Sequence, residues 1–281
     1  MPLIHQDSSG NLAGQHYIST PVTGKQNEEV IMISETILKV TDLKMVYPDG
    51  TQALKGISTT VKKGEFLCII GSSGAGKSTF LRCINRLVEP TSGSIVFNNV
   101  EVTKANAREL RNIRRQVGMV FQGYNLIKRS PTVTNVLHGR LGYMSTLKGG
   151  LGLFSKEDTQ KALAMLARVG LEDQAFKRAD ELSGGQAQRV GIARAFCQEP
   201  LMLLADEPIA SLDPAASKSI MSYMKKISEE EGITSIVNLH QVDFARDYAT
   251  RIIAINAGEI VFEGTPSELT DEVTEGIFTR R

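Results

Sequence analysis

One run constrains this chain more than any other: Gly71-Ser72-Ser73-Gly74-Ala75-Gly76-Lys77-Ser78-Thr79, which fits the pattern GxxxxGK[ST]. It follows the apolar stretch GEFLCII, which reads as a short buried strand, and it opens a helical stretch from Lys77 to Val88. A glycine-rich loop between a strand and a helix lets backbone N–H groups curl around an anion, and the helix N-terminus adds positive potential. Lys77 is then placed to reach nucleotide β- and γ-phosphates, and the Ser78 hydroxyl suits Mg2+. The plain alternative is a glycine-rich turn without nucleotide, and the strand-loop-helix context weighs against it.

Such a loop needs a rigid frame, and the composition allows one. The chain has 281 residues, 41% hydrophobic and 22% charged, enough for a sizeable core and no compositional case for general disorder. With 32 Lys and Arg against 31 Asp and Glu, no long-range field steers it to nucleic acid or anionic lipid, so partners are recognised locally. Cys68, Cys83 and Cys197 are widely spaced in apolar surroundings and read as reduced core residues, not metal ligands. No stretch approaches the roughly 20 apolar residues of a membrane span, and the N-terminus lacks a secretory pattern, so any membrane contact comes through another chain. Residues 1–34 show no sustained period and are expected to form a flexible tail ahead of a domain over 35–281.

From Ile37 the segments ILKVTDLKMVY and ALKGISTTV alternate apolar and polar residues, as half-buried antiparallel strands do. After the glycine loop come the strand-like SIVFNNV, a basic helix ANARELRNIRRQ and the strand VGMVF. In that helix Arg111, Arg114 and Arg115 read as a solvated face. Residues 123–198 lose the strand signal, and KEDTQKALAMLARVG and GGQAQRVGIARAFCQ carry helical spacing. Strand signals return as LMLLAD, TSIVNL and RIIAINAGEIVFEG, separated by helical segments in the rhythm of a parallel sheet. The expectation is an α/β core, residues 35–122 and 199–281, with an antiparallel β subdomain and a helical subdomain inserted at 123–198.

The run LMLLA ends in Asp206-Glu207-Pro208, and a carboxylate at the tip of a buried strand is costly unless something nearby needs its charge. Mg2+ would need it: Asp206 is placed to hold the metal, and Glu207 to polarise a water toward a γ-phosphate. Alone, an acidic pair at a strand end is weak evidence; beside a phosphate loop it supplies the second half of one site. Those halves would suit a kinase or a GTPase equally well. The deciding run is Leu182-Ser183-Gly184-Gly185-Gln186, where Ser183 reads as a helix cap and two glycines expose backbone donors, a second anion site in one chain.

LSGGQ together with the phosphate loop resembles the ATP-binding cassette (ABC) family, over Ile37 to about Glu272. The resemblance implies a P-loop NTPase (RecA-like) core and a head-to-tail pair of chains. Each ATP, with Mg2+, would be sandwiched between Gly71–Thr79 of one copy and Ser183–Gln186 of the other. It further implies that Gln122 touches the metal and the attacking water and that His240 contacts the γ-phosphate. Tyr47, in MVYPDG, would stack on adenine, and Asp213, in ASLDP, would lie in the loop that crosses between the copies. Unaided, Asp213 reads as a helix cap before Pro214. Ala187 departs from the glutamine frequent after LSGGQ, and Ser72 from a frequent proline; neither removes a phosphate donor.

A single cassette with no fused spans, no coiled-coil insertion and no second cassette is most similar to the ATP-hydrolysing subunit of a bacterial importer. The alternatives are a soluble repair or ribosome-associated ATPase, or an importer of a different solute. The segments HGRLGYMSTLKGGLGLFSKED, FKRADELSGG, LADEPIASLDP and LHQVDFARDYA resemble phosphonate import cassettes, including phosphite systems. That resemblance implies a second copy of the chain, integral membrane permease subunits and, through them, a solute-binding protein as partners. It implies no nucleic acid, and a place on the cytoplasmic face of the inner membrane. Leu141, Tyr143, Met144, Leu151 and Phe154 are read either as local core or as part of a groove for a helix of the channel.

Overall fold

The computed structural model describes residues 35–210 and 212–279. The expected tail, 1–34, and Ser211 of the ASLDP segment lie outside the described residues. The chain opens with β1 (Thr36–Val46) and β2 (Gln52–Lys62), paired antiparallel. Leu38, Val40 and Leu43 are buried, and the register shifts between Val40 and Leu43 because Asp42 takes left-handed backbone (φ 44°). Then β3 (Phe66–Ile70) runs through the loop into α1 (Lys77–Ile84). This helix stops four residues short of Val88. Arg86 turns left-handed (φ 47°), and the amides of Leu87 and Val88 fold back onto the Arg82 carbonyl, as helix C-caps do.

SIVFNNV, expected as one strand, is a hairpin of β4 (Ser92–Phe97) and β5 (Val100–Glu101). Asn98 and Asn99 both take positive φ, 45° and 64°, the two-residue turn that suits the right-handed twist of paired strands. Next, α2 (Ala107–Gln116) starts from a capping box in which Asn106 accepts from the Glu109 amide and Glu109 accepts from the Asn106 amide. Its basic face is not all solvated: Arg114 reaches back to the carbonyls of Asn85 and Arg86, satisfying backbone left open where α1 ends. Arg111 alone of the three is exposed.

After β6 (Val117–Val120) come four helices, α3 (Thr132–Leu137), α4 (Thr146–Gly150), α5 (Lys156–Arg168) and α6 (Gly184–Cys197). The chain ends with β7 (Met202–Asp206), α7 (Pro214–Glu231), β8 (Thr234–Asn238), α8 (Val242–Tyr248), β9 (Arg251–Asn256), β10 (Glu259–Gly264) and α9 (Asp271–Thr279). RIIAINAGEIVFEG is thus an antiparallel β9-β10 hairpin.

Two sheets result. One is antiparallel in the order β2-β1-β4-β5; the other runs β10-β9-β3-β8-β7-β6, parallel except at β10. Every residue of β3, β6, β7 and β8 is buried, as expected for strands covered on both faces. On β3, Phe66, Cys68 and Ile70 pack into one apolar cluster with α6 and α7, while Leu67 and Ile69 pack into another with α1 and the antiparallel sheet. Register decides what these strands carry at their ends. Ile69 lies across from Asn238, and Asn238 across from Asp206, so β3, β8 and β7 finish level and their following loops meet at one sheet edge. Carboxyl ends of parallel strands are where open α/β sheets bind ligands.

Candidate functional site

The loop after β3 is shaped by two glycines with no room for a side chain. A Cβ at Gly71 (φ 149°) would come within 2.1 Å of the Ile255 carbonyl oxygen, and one at Gly76 (φ 107°) within 2.5 Å of the Ala53 carbonyl oxygen. The backbone of Gly71–Gly76 therefore lies tight against β2 and the β9 end. Lys77, the first residue of α1, is 4% exposed, and its Nζ donates to the carbonyls of Gly71 (2.7 Å) and Ser72 (2.9 Å). Burial holds its ammonium below the usual lysine range, with Glu207 and Asp206 acting in the opposite sense.

Asp206, 2% exposed at the tip of β7, is held by three donors. Ser78 Oγ donates to its Oδ1 at 2.7 Å, Asn238 Nδ2 to the same oxygen at 3.1 Å, and Arg82 Nη2 pairs with Oδ2 at 3.2 Å. Arg82 reaches it because it sits one helical turn beyond Ser78 on α1. The next residue, Glu207, has φ 53°, left-handed backbone that a non-glycine residue adopts at a cost. That turn aims its carboxylate at two loops. Gln122 Nε2, after β6, donates to Oε2 at 3.0 Å, and His240 Nε2, after β8, donates to Oε1 at 2.5 Å.

Four strand ends thus deliver Lys77, Asp206, Glu207, Gln122 and His240 to one place. Beside it is a cleft of about 380 Å3 lined by Tyr47, Gly74–Thr79 and Glu207. Tyr47, half-buried, meets the Thr79 hydroxyl at 3.1 Å. Lining residues that sequence reasoning missed are Thr51, Gln52, Ala53, Lys55, Ala257 and Gly258. Arg82 and Asn238 were also missed. The signal for Asn238 is a polar residue inside the apolar run TSIVNL, and for Arg82 the i+4 spacing from Ser78.

Ser183, Gly184, Gly185, Gln186 and Asp213 lie elsewhere, in a separate cleft of about 420 Å3 that shares no lining residue with the first. Ser183 caps α6: its Oγ accepts from the Gln186 amide (3.3 Å), and the Gln186 side chain accepts from the Ser183 amide (2.9 Å). Asp213 caps α7, accepting from the Ala216 amide at 2.9 Å, with Pro214 as the first helical residue. Within one chain, then, the structure brings together the phosphate loop, Tyr47, Gln122, Asp206, Glu207 and His240. It does not bring Ser183–Gln186 or Asp213 to them. Gln122 meets Glu207; its amide makes no hydrogen bond to the Ser78-Asp206 pair.

The donor set suits a hard divalent cation. A hydroxyl and a carboxylate 2.7 Å apart at a phosphate cradle are the oxygen ligands Mg2+ takes from protein while phosphate and water supply the rest. Among the described residues no cluster of three or more His, Cys, Asp or Glu side chains offers an all-protein cage.

Residues 54–210 match the family model described as ABC transporter. A phosphonates import ATP-binding protein, PhnC 2, from Halalkalibacterium halodurans is 63% identical over 242 residues, 86% of this chain and 99% of that protein. A phosphonates import ATP-binding protein from Treponema denticola is 50% identical, over 86% of this chain and 95% of that one. Among solved structures, the dimeric post-hydrolysis ATP-binding cassette MJ0796 bound to ADP and Pi superposes with a TM-score of 0.73 at 36% identity, covering 82% of this chain and 98% of that one. CbiO1 of Clostridium perfringens, part of the ABC transporter complex cbiONQ, gives 0.75 at 32%, over 85% and 93%.

Proposed function

The chain belongs to the ABC transporter family as an ATP-binding, ATP-hydrolysing subunit, and from that premise we propose that it powers import of a phosphonate or a related phosphorus oxyanion such as phosphite. The observation that carries the catalytic part is Glu207, turned by its left-handed backbone into the grip of Gln122 and His240 beside the Lys77 loop. ATP lies in the cleft with its adenine on Tyr47 and its phosphates in the Gly71–Thr79 loop. Lys77 exchanges its two carbonyl partners for phosphate oxygens. Ser78 and Asp206 would hold Mg2+, with the Gln122 side chain beside them; the ion would neutralise charge on the β- and γ-phosphates. A water oxygen attacks the γ-phosphorus in line, the bond to the bridging oxygen breaks, and Glu207 accepts the water's proton. His240 holds Glu207 and contacts the γ-phosphate as the site closes.

The second cleft supplies the other half from a second copy of the chain. The amides at the start of α6, freed at Gly184 and Gly185 from side-chain cover, can donate to an anion. Facing the γ-phosphate of a partner in head-to-tail array they complete its cradle, with Asp213 at the crossing. ATP then favours the closed pair by linkage.

No helix among the described residues is long and apolar enough to cross a membrane, so permease subunits carry the solute and this chain docks beneath them on the cytoplasmic face. A groove of about 580 Å3 between the loop after Gln122 and the start of α6, lined by Tyr124, Leu126, Leu182 and Ala187, is the docking surface for a permease helix. The phosphorus substrate follows from the 63% relative, since a cassette never touches the solute. The test is ATPase activity of the complex reconstituted with its permease and solute-binding protein. Phosphonate- or phosphite-loaded binding protein is expected to stimulate turnover. Stimulation by a sugar- or amino-acid-loaded partner, with none from any phosphorus oxyanion, removes the substrate and leaves the ATPase standing.

A further inference from the structure

Two residues beyond Gln122 the backbone does something costly. Tyr124 and Asn125 are consecutive left-handed residues, φ 56° and 49°, and neither is glycine. Such a conformation is unfavourable, more so for tyrosine than for asparagine, and persists where the surroundings enforce it. The enforcing group is Arg194, near the end of α6. Its Nη1 donates to the Asn125 carbonyl at 2.6 Å and its Nη2 to the Tyr124 carbonyl at 2.9 Å. Two parallel N–H groups of one planar guanidinium thus read two successive carbonyls, a geometry a lysine ammonium does not match.

The arginine is itself unusual. Burial is what disfavours its charge, and no carboxylate among the described residues offsets that; the two loop carbonyls and the negative end of α6 are what it has. Cation and loop therefore hold each other. Tyr124 also lies along the rest of α6. Its carbonyl oxygen is 3.7 Å from where a Cβ of Gly191 would stand, and its hydroxyl 3.1 Å from where one of Gly184 would stand. The loop that carries Gln122 is thus splined to the helix that begins at Ser183, at both ends of that helix.

We propose that Arg194 is a positioning residue for hydrolysis, clamping Tyr124 and Asn125 in the left-handed backbone that aims Gln122 at Glu207. It deepens the reading of Glu207 as general base and rests on it. A displacement of α6 then carries the Gln122 amide with it, so that engagement of the Ser183 end is felt at the Glu207 carboxylate.

The test uses the full-length chain with Mg-ATP. Arg194→Lys keeps the charge but loses the paired donors; kcat is expected to fall on the order of 10- to 100-fold with ATP affinity unchanged. In a Gln122→Ala background the same substitution is expected to cost little more, because its route runs through Gln122. Asn125→Gly, which accepts positive φ freely, is expected to restore part of the kcat lost in Arg194→Lys. Should Arg194→Lys fold poorly, Asn125→Val in the parent chain leaves the arginine in place and opposes the left-handed backbone directly. It is expected to show the same loss in kcat alone, again non-additive with Gln122→Ala. Parental kcat in both single variants, or losses that multiply fully with Gln122→Ala, overturn the clamp. Glu207→Gln run alongside separates the two ideas: parental turnover there removes the general base, whereas additivity removes Arg194.

Discussion

In the cleft at the sheet edge, Lys77 is buried against two carbonyls of its own loop, and Glu207, partly buried, meets the side chains of Gln122 and His240. In the helical segment between residues 123 and 198, Arg140 is as closely enclosed but is matched by opposite charge. Its Nε pairs with Asp158 at 2.9 Å, its Nη1 with Glu199 at 3.0 Å, Lys161 closes on Glu199 at 2.8 Å, and the Tyr143 ring lies 4.4 Å from the guanidinium carbon. A cation held by carbonyl dipoles is left short of full compensation and can exchange them for an anion. One closed into a carboxylate network has nothing left to offer. The first arrangement belongs to a site and the second to a frame, and mutations should separate them as loss of turnover against loss of stability.

Glu207→Gln should show the largest effect and nearly all of it in chemistry. Turnover is expected to drop by about 10²–10⁴, the range of a positioned general base, while Mg-ATP binding persists because neither the loop nor Asp206 is touched. Single-turnover hydrolysis beside equilibrium ATP binding measures both. Near-parental turnover would move the base elsewhere and erase the contrast at its strongest point.

The same contrast holds between the two clefts, one with cation and carboxylates, the other with backbone donors at a capped helix start. Lys77→Ala and Ser183→Arg should each abolish most hydrolysis alone. Mixed, they are expected to recover part of it, since a mixed pair has one complete composite site. Absence of recovery while mixed dimers demonstrably form would show that the clefts do not serve one nucleotide between two copies, or that both sites must act.

Within the first cleft, Tyr47→Ala should weaken ATP binding about tenfold, the size of a lost aromatic stack, without changing kcat. Tyr47→Phe separates stacking from the Thr79 contact: parental affinity there assigns the effect to the ring.

Legibility followed the same divide. Gly71–Thr79, Asp206 and Ser183–Gln186 could be read from the sequence because loop, strand tip and helix start are local features with local residue requirements. The β4-β5 hairpin was missed because NN was passed over as strand, and the early stop of α1 because Arg86, unlike glycine, gives no warning of positive φ. Arg114 was read as solvated since its carbonyl partners lie 28 and 29 residues away. Arg82 and Asn238 were hidden likewise: what they hold, Asp206, is distant in sequence and near only through the β3-β8-β7 register. Gln122 and His240 were approachable only through family resemblance, which gave them roles at the metal, water and γ-phosphate and not their hydrogen bonds to Glu207, because a lone glutamine or histidine after a strand has no periodicity to betray it.

The smallest effect tests the frame. Asp158 is pushed up by burial, but hydrogen bonds from Ser155 and Arg140 and the arginine's charge outweigh that and leave its carboxyl below the ordinary value of 3.8. A depressed folded-state pKa means stabilisation that is fully present above 3.8 and disappears as pH falls through the lower, folded value. Asp158→Asn removes the charge while keeping the shape, and Arg140 retains Glu199. The expected cost is about 1–2 kcal/mol, the order of a hydrogen bond to a charged group. For a domain of this size that is a fall in Tm of roughly 2–8 °C. The gap between parent and variant should close as pH is lowered below 3.8, because the parent's carboxyl becomes neutral as well. ATP turnover at neutral pH should not change. If instead Asp158→Asn slowed hydrolysis at constant Tm, charge in the helical segment would be serving the chemistry, and the division between site and frame would be drawn in the wrong place.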